Sequence, residues 1–154
     1  MRRTALSLAL VLALATAACS DKNGPATNQN NAGNGSTPNA CSLLTSQRLG
    51  ELLGTDPGQG EPQSVSPDRS VCIYANGVIT AVEIAANYDA SRQLVEANGS
   101  TTTDIAGVGS AAFYDSNGQV VAKGERYFVA VTFSGPKEKL TEAARELLTA
   151  AEGT

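Results

Sequence analysis

Apolar residues near the carboxyl end of the chain recur at intervals of three and four positions. They are Leu140, Ala143, Ala144, Leu147, Leu148 and Ala151. This spacing places them on one face of a helix that starts near Pro136, since proline is well suited to a first helical turn. A helix with one apolar stripe at the end of a chain indicates packing against a sheet.

Two further helices are predicted nearer the amino end. Thr45 can cap a helix over Ser46–Leu53, and Gly54 can end it. The buried face of this helix would comprise Leu49, Leu52 and Leu53. Asp89 can cap a second helix, which runs to the residue before Gly99. Its apolar side would comprise Leu94, Val95 and Ala97.

Five runs rich in β-branched and aromatic residues predict strands. They cover residues 71–75, 78–86, 111–115, 119–123 and 126–133. Asn76-Gly77 predicts a hairpin with a two-residue turn between the first two strands. In that register the core-facing residues would be Val71, Ile73, Val78, Val82 and Ile84. Cys72 and Tyr74 would then lie on the opposite face.

The last three strands predict an antiparallel meander with turns at Asn117-Gly118 and Gly124-Glu125. In the last strand, Tyr127, Val129, Val131 and Phe133 share one face, and Phe128 and Ala130 share the other. Residues 55–70 are rich in proline and glycine and predict a surface loop. The element order α-ββ-α-βββ-α predicts a single α+β domain over residues 40–154. It would be a five-stranded antiparallel sheet with two to three helices packed on one face.

Residues 1–18 have the pattern of a signal peptide, with Arg2 and Arg3 before a short apolar run and small residues at the end. Ala17, Ala18 and Cys19 resemble the lipobox of bacterial lipoproteins, in which the cysteine is acylated. We therefore expect Cys19 to begin the mature chain and to carry a lipid. The alternative is cleavage after Ala17, which would leave Cys19 as a free thiol.

The chain has three cysteines, so an exported form must account for one unpaired thiol. Acylation of Cys19 leaves Cys41 and Cys72 to pair in an oxidising compartment. The alternative is two buried free thiols. The predicted hairpin register puts Cys72 away from the core. A buried bridge would then need a bulge, or a path for Cys41 across the sheet edge.

Loss of the leader removes Arg2 and Arg3, which leaves 9 basic against 15 acidic residues and a net charge of −6. This balance argues against nucleic acid as a partner. Residues 21–39 are polar and rich in asparagine and glycine, which predicts a flexible tether with a reach of about 20 to 25 Å, so that residues 19–39 comprise the lipidated cysteine and the tether. We expect a position on the extracytoplasmic face of a membrane, as part of the cell envelope.

Candidate chemistry is sparse. The chain contains no histidine, which excludes Ser-His-Asp and Cys-His catalytic sites and histidine metal sites. Residues 107–112 match a G-x-G-x-x-A pattern but lead into a strand, so we interpret them as a turn. Residues 115–118 are interpreted as a hairpin turn rather than a calcium loop. Glu138, Glu142 and Glu146 indicate a solvated helix face, and Lys123, Glu125 and Arg126 a turn that blunts a sheet edge. No residue is assigned a catalytic, metal or cofactor role.

Several motifs together resemble those of small bacterial lipoproteins, abundant in actinobacteria, that share a domain of unknown function. The motifs are the lipobox, the polar tether, Cys41-Ser42-Leu43-Leu44-Thr45, Leu52-Leu53-Gly54, Val71-Cys72-Ile73-Tyr74, residues 107–112 and the terminal helix. The resemblance implies a bridge between Cys41 and Cys72. It also implies a small α+β fold similar to extracytoplasmic sensor domains of bacterial serine/threonine kinases. Ser110 and Tyr74 depart from the pattern, where the family tends to have aspartate and tryptophan. The family carries no agreed activity.

The sequence therefore predicts a non-enzymatic, lipid-anchored envelope module without a cofactor, which binds a small ligand or a partner protein. The alternative is a structural or accessory envelope lipoprotein with no small-molecule ligand. A solvent-accessible apolar cleft would favour ligand capture. A flat exposed apolar patch would favour a protein partner.

Overall fold

A computed structural model describes residues 37–154 of the chain. The helices in this range are α1 (Ala40–Leu43), α2 (Ser46–Leu53), α3 (Tyr88–Ala97) and α4 (Lys137–Glu152). The strands are β1 (Gly60–Ser66), β2 (Arg69–Tyr74), β3 (Ile79–Ile84), β4 (Thr102–Asp104), β5 (Ala111–Asp115), β6 (Gln119–Lys123) and β7 (Tyr127–Thr132). A 3-10 turn, Ala85–Asn87, joins β3 to α3.

These strands form one antiparallel sheet in the order β1-β2-β3-β7-β6-β5-β4. The predicted α+β class and antiparallel pairing are confirmed. The prediction of five strands is wrong, because β1 and β4 extend the sheet at its two edges. The turn that contains Glu125 joins the central strands β6 and β7, so its interpretation as a device that blunts a sheet edge is also wrong.

β1 lies in the stretch predicted to be a surface loop, and it forms one edge of the sheet. Next to β1, Ala75 donates its N–H to the main-chain oxygen of Gln59 at 3.2 Å. The main-chain polar groups of alternate residues, including Pro62, therefore point away from β2. Proline is tolerated at such a position, because its missing N–H has no partner there to lose. Pro62, a residue type that is unfavourable inside a sheet, thus protects this free edge from pairing with a further strand.

α2 and α4 form where the apolar spacing predicts them. Thr45 accepts a hydrogen bond from the N–H of Arg48 at 3.1 Å, and Gly54 ends α2 with a φ of 73°. The three predicted leucines of α2 and all six stripe residues of α4 are buried. α4 packs on β6 and β7 and against α2. The two faces of β7 are also as predicted, since they contribute to different hydrophobic clusters.

The β2–β3 hairpin has a three-residue loop rather than the predicted two-residue turn. Tyr74 donates its N–H to the main-chain oxygen of Val78 at 2.9 Å, and Gly77 has a φ of 80° within the loop. One extra loop residue turns β2 over relative to β3. The predicted core face is therefore right for Val78 and Val82 but wrong for Val71 and Ile73. Ile73 is 43% exposed, and Cys72 and Tyr74 are buried in the main core instead.

The disulfide between Cys41 and Cys72 joins α1 to β2, with a Cα–Cα distance of 5.0 Å. The predicted pairing is confirmed. Because the observed register turns Cys72 toward the helices, the bridge needs neither a bulge nor a path around the sheet edge. Gly60 of β1 lies close by, where an added Cβ would come within 2.6 Å of the Cys72 sulfur. The N–H of Ala40 also donates to the Ser70 hydroxyl at 2.9 Å, which fastens α1 to β2 a second time.

The opposite face of the sheet carries a smaller core beneath the start of α3. The ring of Tyr88 packs against Phe113 at 5.7 Å and Phe128 at 6.0 Å between centroids. The remaining members of this cluster are Val71, Ala81, Val121 and Ala130. Helices therefore lie on both faces of the sheet, not on one as predicted. The predicted apolar side of α3 is wrong as well, since Leu94 is 64% exposed and Tyr88 is the buried anchor.

Candidate functional site

A groove of about 680 Å³ lies at one end of the sheet, between two turns and the last two turns of α4. The residues that line it are Gly109, Ser110, Gly124, Glu125, Arg126, Arg145, Leu148, Thr149 and Glu152. This volume is within the range of about 300–1,000 Å³ that is typical of small-molecule sites. The groove is shallow and open to solvent.

The first wall of the groove is the turn that precedes β5. Gly109 has a φ of 58°, and an added Cβ there would collide with the main-chain oxygen of Lys123 and lie 2.9 Å from Leu148. Glycine therefore allows this turn to lie against both β6 and α4. Ser110 follows, and its N–H and hydroxyl both donate to the oxygen of Lys123, at 2.8 and 3.1 Å. This contact holds the serine, and no basic side chain of residues 37–154 forms a hydrogen bond with its hydroxyl.

The second wall is the β6–β7 turn. Gly124 closes this turn by donating its N–H to the main-chain oxygen of Tyr127 at 2.8 Å. An added Cβ on Gly124 would collide with the carboxylate of Glu152 and lie 3.0 Å from Leu148. Leu148, which is 6% exposed, thus forms an apolar floor between two glycine turns.

Glu152 at the end of α4 clamps the second wall to the helix. One carboxylate oxygen accepts the N–H groups of Arg126 at 3.0 Å and Tyr127 at 3.1 Å. The guanidinium of Arg126 donates to the other carboxylate oxygen and to the main-chain oxygen of Glu152. Burial raises the pKa of Glu152, but the backbone and guanidinium hydrogen bonds outweigh it and hold the pKa below its usual value. Arg126 and Glu152 therefore neutralise each other.

Arg145 is the basic residue of the groove that remains without a partner among residues 37–154. The other seven basic side chains in that range contact a carboxylate, an aromatic ring or a main-chain oxygen. Arg145 projects from the exposed side of α4, one helical turn before Leu148. Its main-chain oxygen accepts the hydroxyl of Thr149 at 2.9 Å. Its guanidinium makes no hydrogen bond or ion pair with another residue of 37–154, and is therefore available to solvent or to a ligand.

The groove combines one available cation with an apolar floor. The exposed carboxylate of Glu125 also borders it and weakens the positive potential. A ligand with a single anionic group and an apolar portion matches this arrangement best, because a guanidinium binds carboxylate and phosphate oxygens with good geometry. Residues 37–154 contain no cluster of side chains suited to hold a metal ion.

The residues that the sequence singled out do not line this groove, with two exceptions. Cys19, the predicted acylation site, lies outside the described residues. Cys41 and Cys72 are joined to each other and lie elsewhere. Glu146, from the predicted solvated face, pairs with Arg48 of α2 at 2.9 Å. No helix within residues 37–154 has the length and hydropathy of a membrane span.

The exceptions come from two segments that the sequence marked as turns. Residues 107–112 supply Gly109 and Ser110, and the Lys123–Arg126 segment supplies Gly124, Glu125 and Arg126. No sequence pattern marks Arg145 or Glu152 as groove residues, because only the packing of α4 brings them to these turns.

A second surface feature is the uncovered half of the sheet face opposite α4. Ile73 and Ile79 pair across β2 and β3 there and are 43% and 36% exposed. Glu61 and Thr132 border them on the neighbouring strands. Two exposed isoleucines within a polar surround are ordinary for the surface of a monomeric protein. This patch therefore gives weaker support for a function than the groove.

Comparison with known proteins found no match among family models, curated proteins or solved structures. The resemblance to actinobacterial lipoproteins and to kinase sensor domains therefore stays a prediction from the sequence motifs.

Proposed function

We propose that this protein is a non-enzymatic, lipid-anchored envelope module that captures a small anionic ligand in the groove beside Arg145. The observation that carries the proposal is the guanidinium of Arg145, which has no ion-pair partner within the described part of the chain and lies at the rim of a groove with an apolar floor. The other basic groups of residues 37–154 are already occupied by protein contacts. A cation kept without a protein partner at a concave site is suited to receive an anion from outside.

A binding role is also supported by how the groove is built. Two glycine turns and the Glu152 clamp hold its walls through main-chain contacts, so the walls are fixed before any ligand arrives. A preformed site loses less conformational entropy on binding. The predicted export and acylation of Cys19 would place this module outside the cytoplasm, on a membrane. The alternative, a structural lipoprotein with no ligand, gives the unpaired Arg145 no role.

Native mass spectrometry of the protein purified from its own envelope tests this function. We expect the wild type to carry a small-molecule mass that is lost on collisional activation. Arg145→Gln should lose that mass, and Arg69→Gln should keep it. The control makes the same change in net charge, at an exposed arginine that pairs with Glu83 outside the groove. An equal load on Arg145→Gln, or no load on any form, would contradict ligand capture at this site.

A further inference from the structure

The groove opens at the end of the sheet where the described chain begins. Thr37 donates both its N–H and its hydroxyl to the main-chain oxygen of Pro67, at 3.1 and 3.2 Å. Pro67 lies in the turn between β1 and β2. The start of the described chain is therefore held at the β1–β2 turn, not at the opposite end of the strands.

A row of main-chain hydrogen bonds leads from that turn to the groove. Ile84 donates its N–H to the oxygen of Asp68 at 3.2 Å, and Ala85 donates to the oxygen of Arg126 at 2.8 Å. Arg126 is itself a lining residue of the groove and is clamped to Glu152. The antiparallel register thus places the start of the described chain, the β1–β2 turn and the groove at one end of the sheet.

The position of Thr37 relates the groove to the predicted acylation site, and so to the membrane as a source of ligand. Thr37 follows the predicted acylation site Cys19 by 18 residues, a separation that the flexible tether predicted from the sequence would span in about 20 to 25 Å. The predicted tether therefore joins the domain at the end of the sheet that bears the groove. An exposed apolar residue occurs at this same end, since Val65 near the end of β1 is 58% exposed.

We propose that the groove binds an anionic amphiphile from the membrane that carries the anchor, with its anionic group on Arg145 and the first part of its alkyl chain on Leu148. This inference rests on the proposed function and adds the class of ligand. A carboxylate or a phosphate monoester supplies the same chemistry at the head of such a molecule. The net charge of −6 in the predicted mature chain opposes general adsorption to an anionic surface. Recognition is therefore of one molecule in one groove.

Nuclear magnetic resonance titration of the full chain carrying Cys19→Ser tests the ligand class, because the change removes only the predicted acylation site. The probes are octanoate, octyl phosphate, inorganic phosphate and octyl glucoside, all kept below micelle-forming concentrations. We expect saturable amide shifts at Ser110, Gly124 and Leu148 with octanoate and octyl phosphate. Inorganic phosphate should bind at least about tenfold more weakly, since it buries no alkyl chain. Octyl glucoside should give no saturable shift.

Three variants locate the charge that recognises the head group. Arg145→Gln should weaken octanoate binding about tenfold, the usual cost of losing one charge-assisted hydrogen bond. Arg69→Gln, with the same change in net charge, should leave the affinity within about twofold. Glu125→Gln should tighten binding by about twofold to threefold, because it removes a repelling carboxylate from the rim. Arg145 is exposed and unpaired, so its variant should keep the wild-type melting temperature.

The outcomes separate this inference from the proposed function. If inorganic phosphate binds in the groove as tightly as octyl phosphate, the groove is a simple anion site; the amphiphile is then wrong and ligand capture stands. Equal binding of octyl glucoside would remove the role of charge and overturn the amphiphile proposal. If no probe shifts the groove amides, both proposals fail.

Discussion

Glu152 and Arg126 hold each other through both main chain and side chain. The carboxylate of Glu152 accepts the N–H of Arg126 at 3.0 Å, and the guanidinium of Arg126 donates to the main-chain oxygen of Glu152. This pair fixes the β6–β7 turn to the end of α4, and so holds the second wall of the groove against the helix.

Glu152→Gln should therefore destabilise the domain by about 1 to 2 kcal/mol, because it weakens a charged acceptor of two backbone hydrogen bonds. Since the folded-state pKa of Glu152 is lowered, its contribution is present above the unfolded pKa and is lost as pH falls through the folded value. Urea unfolding between pH 7 and pH 3 would reveal a smaller pH dependence in the variant. Glu142→Gln, at an exposed position of the same helix, serves as the matched control and should behave as wild type.

Gly107 and Gly109, in the turn that precedes β5, test how the first wall of the groove is built. Gly109→Ala should cost about 2 kcal/mol or more, since its φ is positive and its new Cβ would collide with Lys123 and crowd Leu148. Gly107→Ala should cost only about 1 kcal/mol, because its φ is also positive but the added Cβ would have no described residue within 4 Å apart from its chain neighbours. Chemical denaturation of both variants measures the difference. Equal costs would contradict the close packing described for Gly109.

The register of the β2–β3 hairpin predicts changes in stability of different size at two β-branched residues. Val82→Thr should destabilise by about 1 to 3 kcal/mol, because it buries a hydroxyl in the main core, where Val82 is 0% exposed. Ile73→Thr should change stability by less than about 0.5 kcal/mol, since that side chain is 43% exposed. Thermal melts of the two variants measure both changes in stability. A large loss on Ile73→Thr would instead support the register predicted from a two-residue turn.

The register of this hairpin could not be predicted from the sequence, whereas the helices α2 and α4 could. α2 and α4 were predictable because their caps and apolar spacing are local, as at Thr45 and Gly54. Asn76-Gly77 signals a hairpin equally well with two or three loop residues, since a glycine with positive φ fits both. Only the pairing of Tyr74 with Val78 distinguishes them, and a change of one residue turned β2 over.

The strand β1 and the groove were not predictable from the sequence, for two different physical reasons. β1 contains Pro62, which opposes a central strand but is harmless on an outward-facing edge. The groove draws Ser110, Gly124 and Arg145 from separate parts of the chain. No periodicity or motif links these residues, because their proximity comes from the packing of α4 across the end of the sheet.

The predicted anchor and the bridge can be checked together by intact mass of the protein from its native membranes. We expect a chain that begins at acylated Cys19 and gains two alkyl groups only after reduction, from Cys41 and Cys72. An unacylated chain that begins at Ala18 would contradict the anchor.

Replacing both bridged cysteines by serine should lower the free energy of unfolding by about 3 to 4 kcal/mol, given their separation of 31 residues.

We expect the domain, once anchored at Cys19 as predicted, to bind a molecule of its own membrane in the groove. Hydrogen exchange of the acylated protein in nanodiscs measures this binding, with discs of phosphatidylcholine alone or with added phosphatidylglycerol and oleate. The anionic discs should slow exchange in residues 106–111 and 124–127, and Arg145→Gln should abolish this protection while Arg69→Gln keeps it. Equal exchange in both kinds of disc, or protection that survives Arg145→Gln, would show that the groove does not bind an anionic lipid of that membrane.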